Sequence, residues 1–426
     1  MPLDAAVADQ RRPNDVGRSH VDPWSLKLCG ARVALDAHSA VAADVEIARG
    51  RIQRIVPWGT SAGRISLSDR QDTEISLAGY LLLPGLINAH DHLEFGLFPK
   101  LGCGPYQNAE QWAKDIYHPD SSPIREHLQI PKPIRLWWGG IRNLLCGATA
   151  VCHHNEFKPE VFDDGFPVRV VSRYAWSHSF QFGGDVASVF PRNDLGTPYI
   201  IHLGEGTDAA SAAEVFELDR RGLLDTRTVI VHGVAFDDAG HDLLLRRGAA
   251  LIWCPGSNLF TLGSTLSPDR IRRNPRIALG SDSSLTAGDL LDQVRTAHEL
   301  GTPAEQIFNL VTTQAADVLK LQNGEGTLLA GSTADIIAVP DGGLSPAATL
   351  IQLTADQIEL VLLAGIPHLV SKGIVSRLPS LVNETLERIV VDDSERYISP
   401  PVARLLQEAE KWLGGTIRLS GKHVRQ

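Results

Sequence analysis

The residues of this chain best suited to chemistry are histidines and carboxylates that close short apolar runs. In Leu83-Pro-Gly-Leu-Ile-Asn-Ala-His90-Asp-His92-Leu-Glu94, the run ends in His-x-His. On a strand, residues i and i+2 face one side, so His90 and His92 present two imidazoles together, which is half of a metal site. Three more runs end the same way: Tyr199-Ile-Ile-His202-Leu-Gly-Glu205, Val229-Ile-Val-His232-Gly233 and Ile277-Ala-Leu-Gly-Ser-Asp282-Ser283. Each taken alone has an ordinary reading, as a core histidine satisfied by a backbone carbonyl or an aspartate capping the next helix. Four such endings at successive strand tips point instead to imidazoles and carboxylates gathered at one place, where a cation could activate water for hydrolysis.

Side chains this far apart in sequence need a scaffold that returns them to one point. Between residues 85 and 324, apolar strands alternate with helical segments, the pattern of parallel β/α units. Strands are expected at Gly85 to His90, Ala148 to His153, Val168 to Tyr174, Tyr199 to Leu203, Thr228 to His232, Ala250 to Cys254 and Arg276 to Gly280. Helices are expected at Ile134 to Leu145, Ala209 to Leu218, Asp238 to Arg247, Leu290 to Leu300 and Ala304 to Leu319. The expected fold is α/β, a (β/α)8 TIM barrel whose functional groups sit at the C-terminal ends of its strands. Only seven strands are legible, so the barrel is expected to be distorted; the deficit falls between Tyr174 and Tyr199, a connection too short for a comfortable strand and helix pair, and the sequence does not say where the eighth strand comes from. β-Prone runs at both chain ends, residues 24–84 and 325–378, predict a small composite β-sandwich domain. Residues 1–23 read as a flexible lead-in, and 379–426 as a helical extension built on an amphipathic segment from Pro401 to Leu413.

Composition narrows the partners. The 426 residues carry 40 Lys plus Arg against 50 Asp plus Glu, a net charge of −10, which opposes association with nucleic acid or an anionic membrane. Five scattered cysteines lack both a disulfide framework and paired metal-finger spacing. No signal-like or membrane-spanning apolar stretch is present, so a cytoplasmic location is expected. The expected partner is a small-molecule substrate, with a homo-oligomer left open.

The ordered set His90-x-His92, His202-x-x-Glu205, His232 and Asp282 resembles the amidohydrolase superfamily, particularly its branch of cytosine, guanine and adenosine-type deaminases and triazine hydrolases. Trp253-Cys-Pro-Gly-Ser-Asn258 and the split β-domain support the resemblance, which spans roughly residues 25 to 375. It implies that His90, His92, His202 and Asp282 hold one divalent ion, Zn²⁺ with Fe²⁺ or Mn²⁺ as alternatives. It further implies that Glu205 and His232 act on the substrate. Related two-metal sites generally bridge their ions with a carboxylated lysine, and no lysine occurs between Lys158 and Lys320. A bridging Glu or Cys stays open.

The chemistry expected from such a ligand set is a hydroxide available near neutral pH, used to cleave a C–N bond by deaminating an aminated heterocycle or opening a cyclic amide. Asp282 both ligates and accepts a proton, Glu205 is the general acid and base, and His232 hydrogen-bonds the developing oxyanion. Glu94, His154, Arg173, Trp176, His178 and Asn258 are the candidate substrate-binding residues. Two alternatives remain: hydrolysis of a C–Cl or C–S bond at an electron-poor ring carbon, and a non-catalytic, metal-stabilised binding protein. Two departures from the family pattern bear on substrate: Ser281 where relatives often carry Thr, and the short 174–199 connection.

Overall fold

The computed structural model describes residues 25–58, 72–163, 165–182, 184–379, 383–415 and 417–426. The expected lead-in, 1–23, lies outside the described residues.

The parallel strands fall in two sheets. A three-stranded sheet holds Leu86–Asp91, Ala148–His153 and Arg169–Val170, and a five-stranded sheet holds Ala175–Ser177, Tyr199–Leu203, Thr228–His232, Ala250–Trp253 and Ile277–Leu279, each in sequence order. The strand that the sequence did not reveal is Ala175–Ser177, paired in parallel with Tyr199–Leu203. The expected single strand Val168 to Tyr174 is instead the short stretch Arg169–Val170, paired with Ala148–His153. Residues 171–174 join the two stretches with no helix between them. Parallel neighbours need a crossover of a dozen or more residues, and these two stretches do not pair with each other: the first pairs with Ala148–His153 and the second with Tyr199–Leu203. On the far side, the two sheets meet where Asp282 N–H donates to the His90 carbonyl at 3.0 Å and His92 N–H donates to the Asp282 carbonyl at 3.0 Å.

Between the strands, apolar side chains including Ile87, Ala89, Ala150, Cys152, Ile200, Val229, Val231, Ile252 and Ala278 form one buried cluster. Their alternation with outward residues such as Leu86, Val151, Ile201 and Ile230, which join the larger surrounding cluster, is the period of two expected of strands packed on both faces. Each Ile or Val among them contributes roughly 1.5–3 kcal/mol on burial. Helix Lys132–Leu145 packs unusually close: a Cβ on Gly139 would sit 2.1 Å from the Leu93 carbonyl oxygen, so only glycine fits there. The expected helix over Ala304 to Leu319 is two, Ala304–Leu310 and Thr313–Val318. Thr312 breaks it, its hydroxyl donating to the Phe308 carbonyl at 2.6 Å.

Both chain ends contribute strands to one hydrogen-bonded 12-stranded sheet. The ends join where Tyr80–Pro84 pairs antiparallel with Ile336–Pro340 across five residue pairs. The extension beyond residue 378 is more than helical. It contributes Glu387–Val391, Ser394–Ile398, Ile417–Leu419 and Lys422–Arg425 to the sheet, with the helix Val402–Leu413 between them. The β-pairing there is long-range, so helix periodicity alone described only part of it. No helix among the described residues is long and apolar enough to cross a membrane. All five cysteines are free thiols.

Candidate metal centre

His90 sits in the fully buried strand Leu86–Asp91, and His92 follows at the start of the 3-10 turn Leu93–Phe95. His202 lies in Tyr199–Leu203, and Asp282 follows Ile277–Leu279. A Cβ on Gly280 would lie 2.7 Å from the His90 Cβ, so the absence of a side chain there lets the first and last strands touch. Asp282 has φ +60° and His232 φ +76°, left-handed conformations that cost a non-glycine residue about 1–3 kcal/mol and cluster at functional sites.

These elements bring His90, His92, His202 and Asp282 together, one potential ligand atom from each lying within 4.8 Å of the others. The His202 Nε2 is 3.1 Å from His90 Nε2 and 3.4 Å from His92 Nε2. The Asp282 Oδ1 is 3.3 Å from His90 Nε2 and 3.6 Å from His92 Nε2. Donors about 2.1 Å from a tetrahedral Zn²⁺ stand roughly 3.4 Å apart, so the set fits a cation of that size. Protonation fits as well. His202 Nδ1 donates to the His178 carbonyl at 2.8 Å, leaving the Nε2 lone pair free. Burial lowers the His90 pKa to about 4, against the hydrogen bond to Asp282, and holds His202 well below its ordinary value, so both are neutral at pH 7. Asp282 is held far below the usual carboxylate range: burial opposes ionisation, but the hydrogen bond from His90 and the electrostatic influence of the His232, His90 and His92 imidazoles outweigh it. Its other oxygen, Oδ2, accepts from the Ser257 hydroxyl at 2.5 Å and from Thr286 at 3.3 Å.

Glu205 and His232 flank this cluster, the His232 Nε2 lying 3.6 Å from Glu205 Oε2. Burial raises the Glu205 pKa to about 7; the His232 charge opposes this, and the Asp282 and Glu214 charges reinforce it. A carboxyl that changes state near neutral pH is suited both to give and to take a proton. Burial likewise raises Glu214 to about 7.

The six expected substrate-binding residues divide. His178 lines a small cavity of about 20 Å³ beside His202 and Glu205. His154 stands in the site with its ring 4.2 Å from that of His202, its Nε2 donating to the Ser177 carbonyl at 3.1 Å and Nδ1 without a partner. Trp176 packs on His154 at 5.5 Å. The other three are differently employed. Asn258 is buried and uses both ends of its amide internally, Oδ1 accepting from His232 Nδ1 at 2.7 Å and Nδ2 donating to Thr265 at 3.2 Å. Glu94 is buried against Asn155 at 2.6 Å and His153 at 3.6 Å; its pKa is lowered to about 2, burial notwithstanding, by the His153, His92 and Lys132 charges. Arg173 is exposed and paired with Asp194 at 2.9 Å, because its side chain leaves the strand wall toward the 191–197 loop.

Sequence reasoning missed Asn108, Gln181, Phe182, Ser211 and Glu214, which complete the cavity wall. Gln181 and Phe182 lie on a loop and Ser211 and Glu214 within helix Ala209–Arg220, none with a local pattern; Asn108 caps helix Ala109–Ile116. A larger cavity, about 650 Å³, lies elsewhere, between Phe98, Lys100, Gln293 and the Leu413 and Arg418 region, and is lined by none of the candidate ligands.

The sequence profile of the amidohydrolase family matches residues 193–370. The chain is 26% identical over 380 residues to the 5-methylthioadenosine/S-adenosylhomocysteine deaminase of Natronomonas pharaonis, covering 74% of this chain and 84% of that protein. To the protein of the same name from Syntrophobacter fumaroxidans it is 24% identical over 361 residues, covering 69% of this chain and 79% of the relative. Among solved structures, a zinc-bound adenosine deaminase from Xanthomonas campestris superposes with a TM-score of 0.66 at 19% identity, covering 92% of this chain and 98% of its own. A zinc complex of the atrazine chlorohydrolase from Arthrobacter aurescens gives 0.64 at 16% identity, covering 91% and 100%. At these identities the structural likeness is one of fold.

Proposed function

We propose that the chain is a metal-dependent hydrolase of the amidohydrolase superfamily, which deaminates an aminated heterocycle or opens a cyclic amide. The observation that carries this reading is Glu205, a buried carboxyl with a pKa near 7, set 3.6 Å from His232 at the edge of a four-ligand cluster. We read the centre as holding one ion, Zn²⁺ by preference, since the described residues offer a single cluster of this kind. We read the parallel strands as a distorted (β/α)8 barrel.

His90, His92, His202 and Asp282 would hold the cation, which when bound lowers the pKa of a coordinated water toward neutrality. Glu205 moves protons between the attacking water and the ring nitrogen or leaving group. His232, with Nδ1 committed to Asn258, turns Nε2 to the reacting centre as a hydrogen-bonding group. Asp282 has Oδ2 already engaged by two hydroxyls, so its protonation is disfavoured and Glu205 is the main proton carrier.

Relatives and structural neighbours bear names that span deamination and dechlorination, so C–Cl hydrolysis, or by the same chemistry C–S hydrolysis, is the second reading for this chain. One observation favours a non-catalytic protein: about 20 Å³ holds a water but no heterocycle. A substrate therefore has to displace part of the wall, and Phe182, partly exposed at its rim, is the side chain placed to give way.

The test is an ammonia, chloride and thiol release panel over adenosine-type nucleosides, pyrimidines, pterins, cyclic amides and chloro- or thio-triazines, run with the zinc-loaded chain and Glu205→Gln. Ammonia release by the former, reduced by about 10²–10⁴-fold in the latter with metal content intact, is the expected result. Chloride or thiol release alone selects the second reading, and wild-type turnover in Glu205→Gln removes the proton-carrier role.

A further inference from the structure

Asp91 stands between the candidate ligands His90 and His92, and on a strand its side chain faces the opposite way. It is fully buried, yet its Oδ2 accepts from four donors: Arg142 Nη2 at 2.7 Å, Asn143 Nδ2 at 2.7 Å, the Ser281 hydroxyl at 3.1 Å and Asn88 Nδ2 at 3.2 Å. Ser281 precedes the fourth ligand, Asp282, and its N–H donates to Asn88 Oδ1 at 3.0 Å. The network therefore ties together the two strands that carry three of the four ligands and fastens both to helix Lys132–Leu145. None of the five side chains is more than 2% exposed.

Burying a carboxylate and a guanidinium costs several kcal/mol per ion before their attraction is counted, and apolar residues of similar volume often fill such a space with equal or greater stability. Stability alone is thus a weak reason for this pair. Its placement suggests geometry: the ligand atoms of His90, His92 and Asp282 must stay within a few tenths of an ångström of their spacing to share an ion. The tie also reaches the end of the chain. Arg142 Nη1 donates to the Gly288 carbonyl at 3.3 Å, and the adjoining Asp289 pairs with Lys422 of the last strand at 3.5 Å.

We infer that the Asp91–Arg142 pair is a positioning strut that sets the distance between the His90/His92 strand and Asp282, and through it the affinity and symmetry of the metal centre. The inference rests on the metal-centre reading. Neither residue faces the substrate cavity.

The experiment compares the full-length wild type with Asp91→Asn, Arg142→Lys, Arg142→Met and the double variant Asp91→Asn/Arg142→Met. Zn²⁺ affinity is measured by chelator competition, the visible spectrum after loading Co²⁺, and the thermal midpoint of the metal-free chain. The single variants are expected to bind Zn²⁺ about 10–100-fold more weakly, with an altered Co²⁺ spectrum. The double variant removes both charges, so it regains much of the thermal midpoint lost by the singles while affinity stays low. A folded double variant with wild-type affinity and spectrum overturns the strut. Should the double variant not fold, Arg142→Lys decides: it keeps the charge but loses the planar fork, and unchanged affinity and spectrum overturn the inference equally. A wild-type chain that takes up neither ion would sink the metal-centre reading itself, a failure distinguishable from that of the strut.

Discussion

The imidazole of His232 donates its Nδ1 hydrogen to the side-chain oxygen of Asn258 at 2.7 Å. That bond selects the tautomer with an open Nε2, which has no other hydrogen-bond partner and lies 3.6 Å from Glu205. The Asn258 amide is itself held by Thr265, to which the Trp253 indole also donates at 2.8 Å. A chain of buried groups thus aims one ring nitrogen.

Removing the acceptor should misalign that ring. Asn258→Leu is expected to lower kcat by about 10–100-fold with metal content unchanged, and Asn258→Asp, which keeps an acceptor, to lose less. Steady-state kinetics beside elemental analysis separates this from a substrate-binding role, in which KM would rise and kcat hold.

Ser257 donates to Asp282 Oδ2 at 2.5 Å in a buried setting. Ser257→Ala leaves that oxygen with Thr286 alone. A loss of about 1–3 kcal/mol in stability is expected, with weaker Zn²⁺ uptake. Denaturant unfolding and chelator competition check the two effects, and a neutral Ser257→Ala would show that the hydroxyl adds nothing to ligand placement.

The raised pKa values of Glu205 and Glu214, each about 7, fix a direction for the metal-free protein. A carboxyl whose folded pKa exceeds its unfolded value near 4.5 contributes stability that is fully present below about pH 4.5 and is lost as pH rises through about 7. The buried histidines act oppositely. With folded values lowered to about 4 at His90 and about 3 at His178, they add stability as pH climbs toward 6.5. The two trends overlap, so the informative quantity is the difference between wild type and Glu214→Gln. That difference in thermal midpoint should change steadily between pH 4.5 and 7.5, the glutamine variant gaining relative stability at the upper end. A difference independent of pH would place Glu214 in ordinary solvent.

Four candidate ligands from three separated stretches would make a bound cation a cross-link. Chelation should lower the thermal midpoint, and Zn²⁺ at about a thousand times its dissociation constant should restore roughly 4 kcal/mol. His92→Ala should abolish most of that gain. Equal melting of the chelated and loaded wild type would contradict a shared ion.

What the sequence alone determined is the inventory of the site and its place in the fold. A strand's period of two puts His90 and His92 on one side, and an apolar run ending in His202, His232 or Asp282 marks a strand tip; both are local facts written in consecutive residues. Only the tertiary structure decided which groups the side chains meet. Asn258, 26 residues from His232, was expected among the substrate-binding residues and instead accepts the His232 Nδ1 hydrogen. Arg173 was expected at the strand tips and turns to a surface loop. The strand Ala175–Ser177 has too few residues to show a period, and its identity comes from pairing with Tyr199–Leu203. Asp91 was merely the residue between two histidines, until folding set it against Arg142, 51 residues away, and Ser281, 190 residues away. Such pairings leave no trace in local periodicity, because they are chosen by how helices and strands dock once their apolar faces are buried.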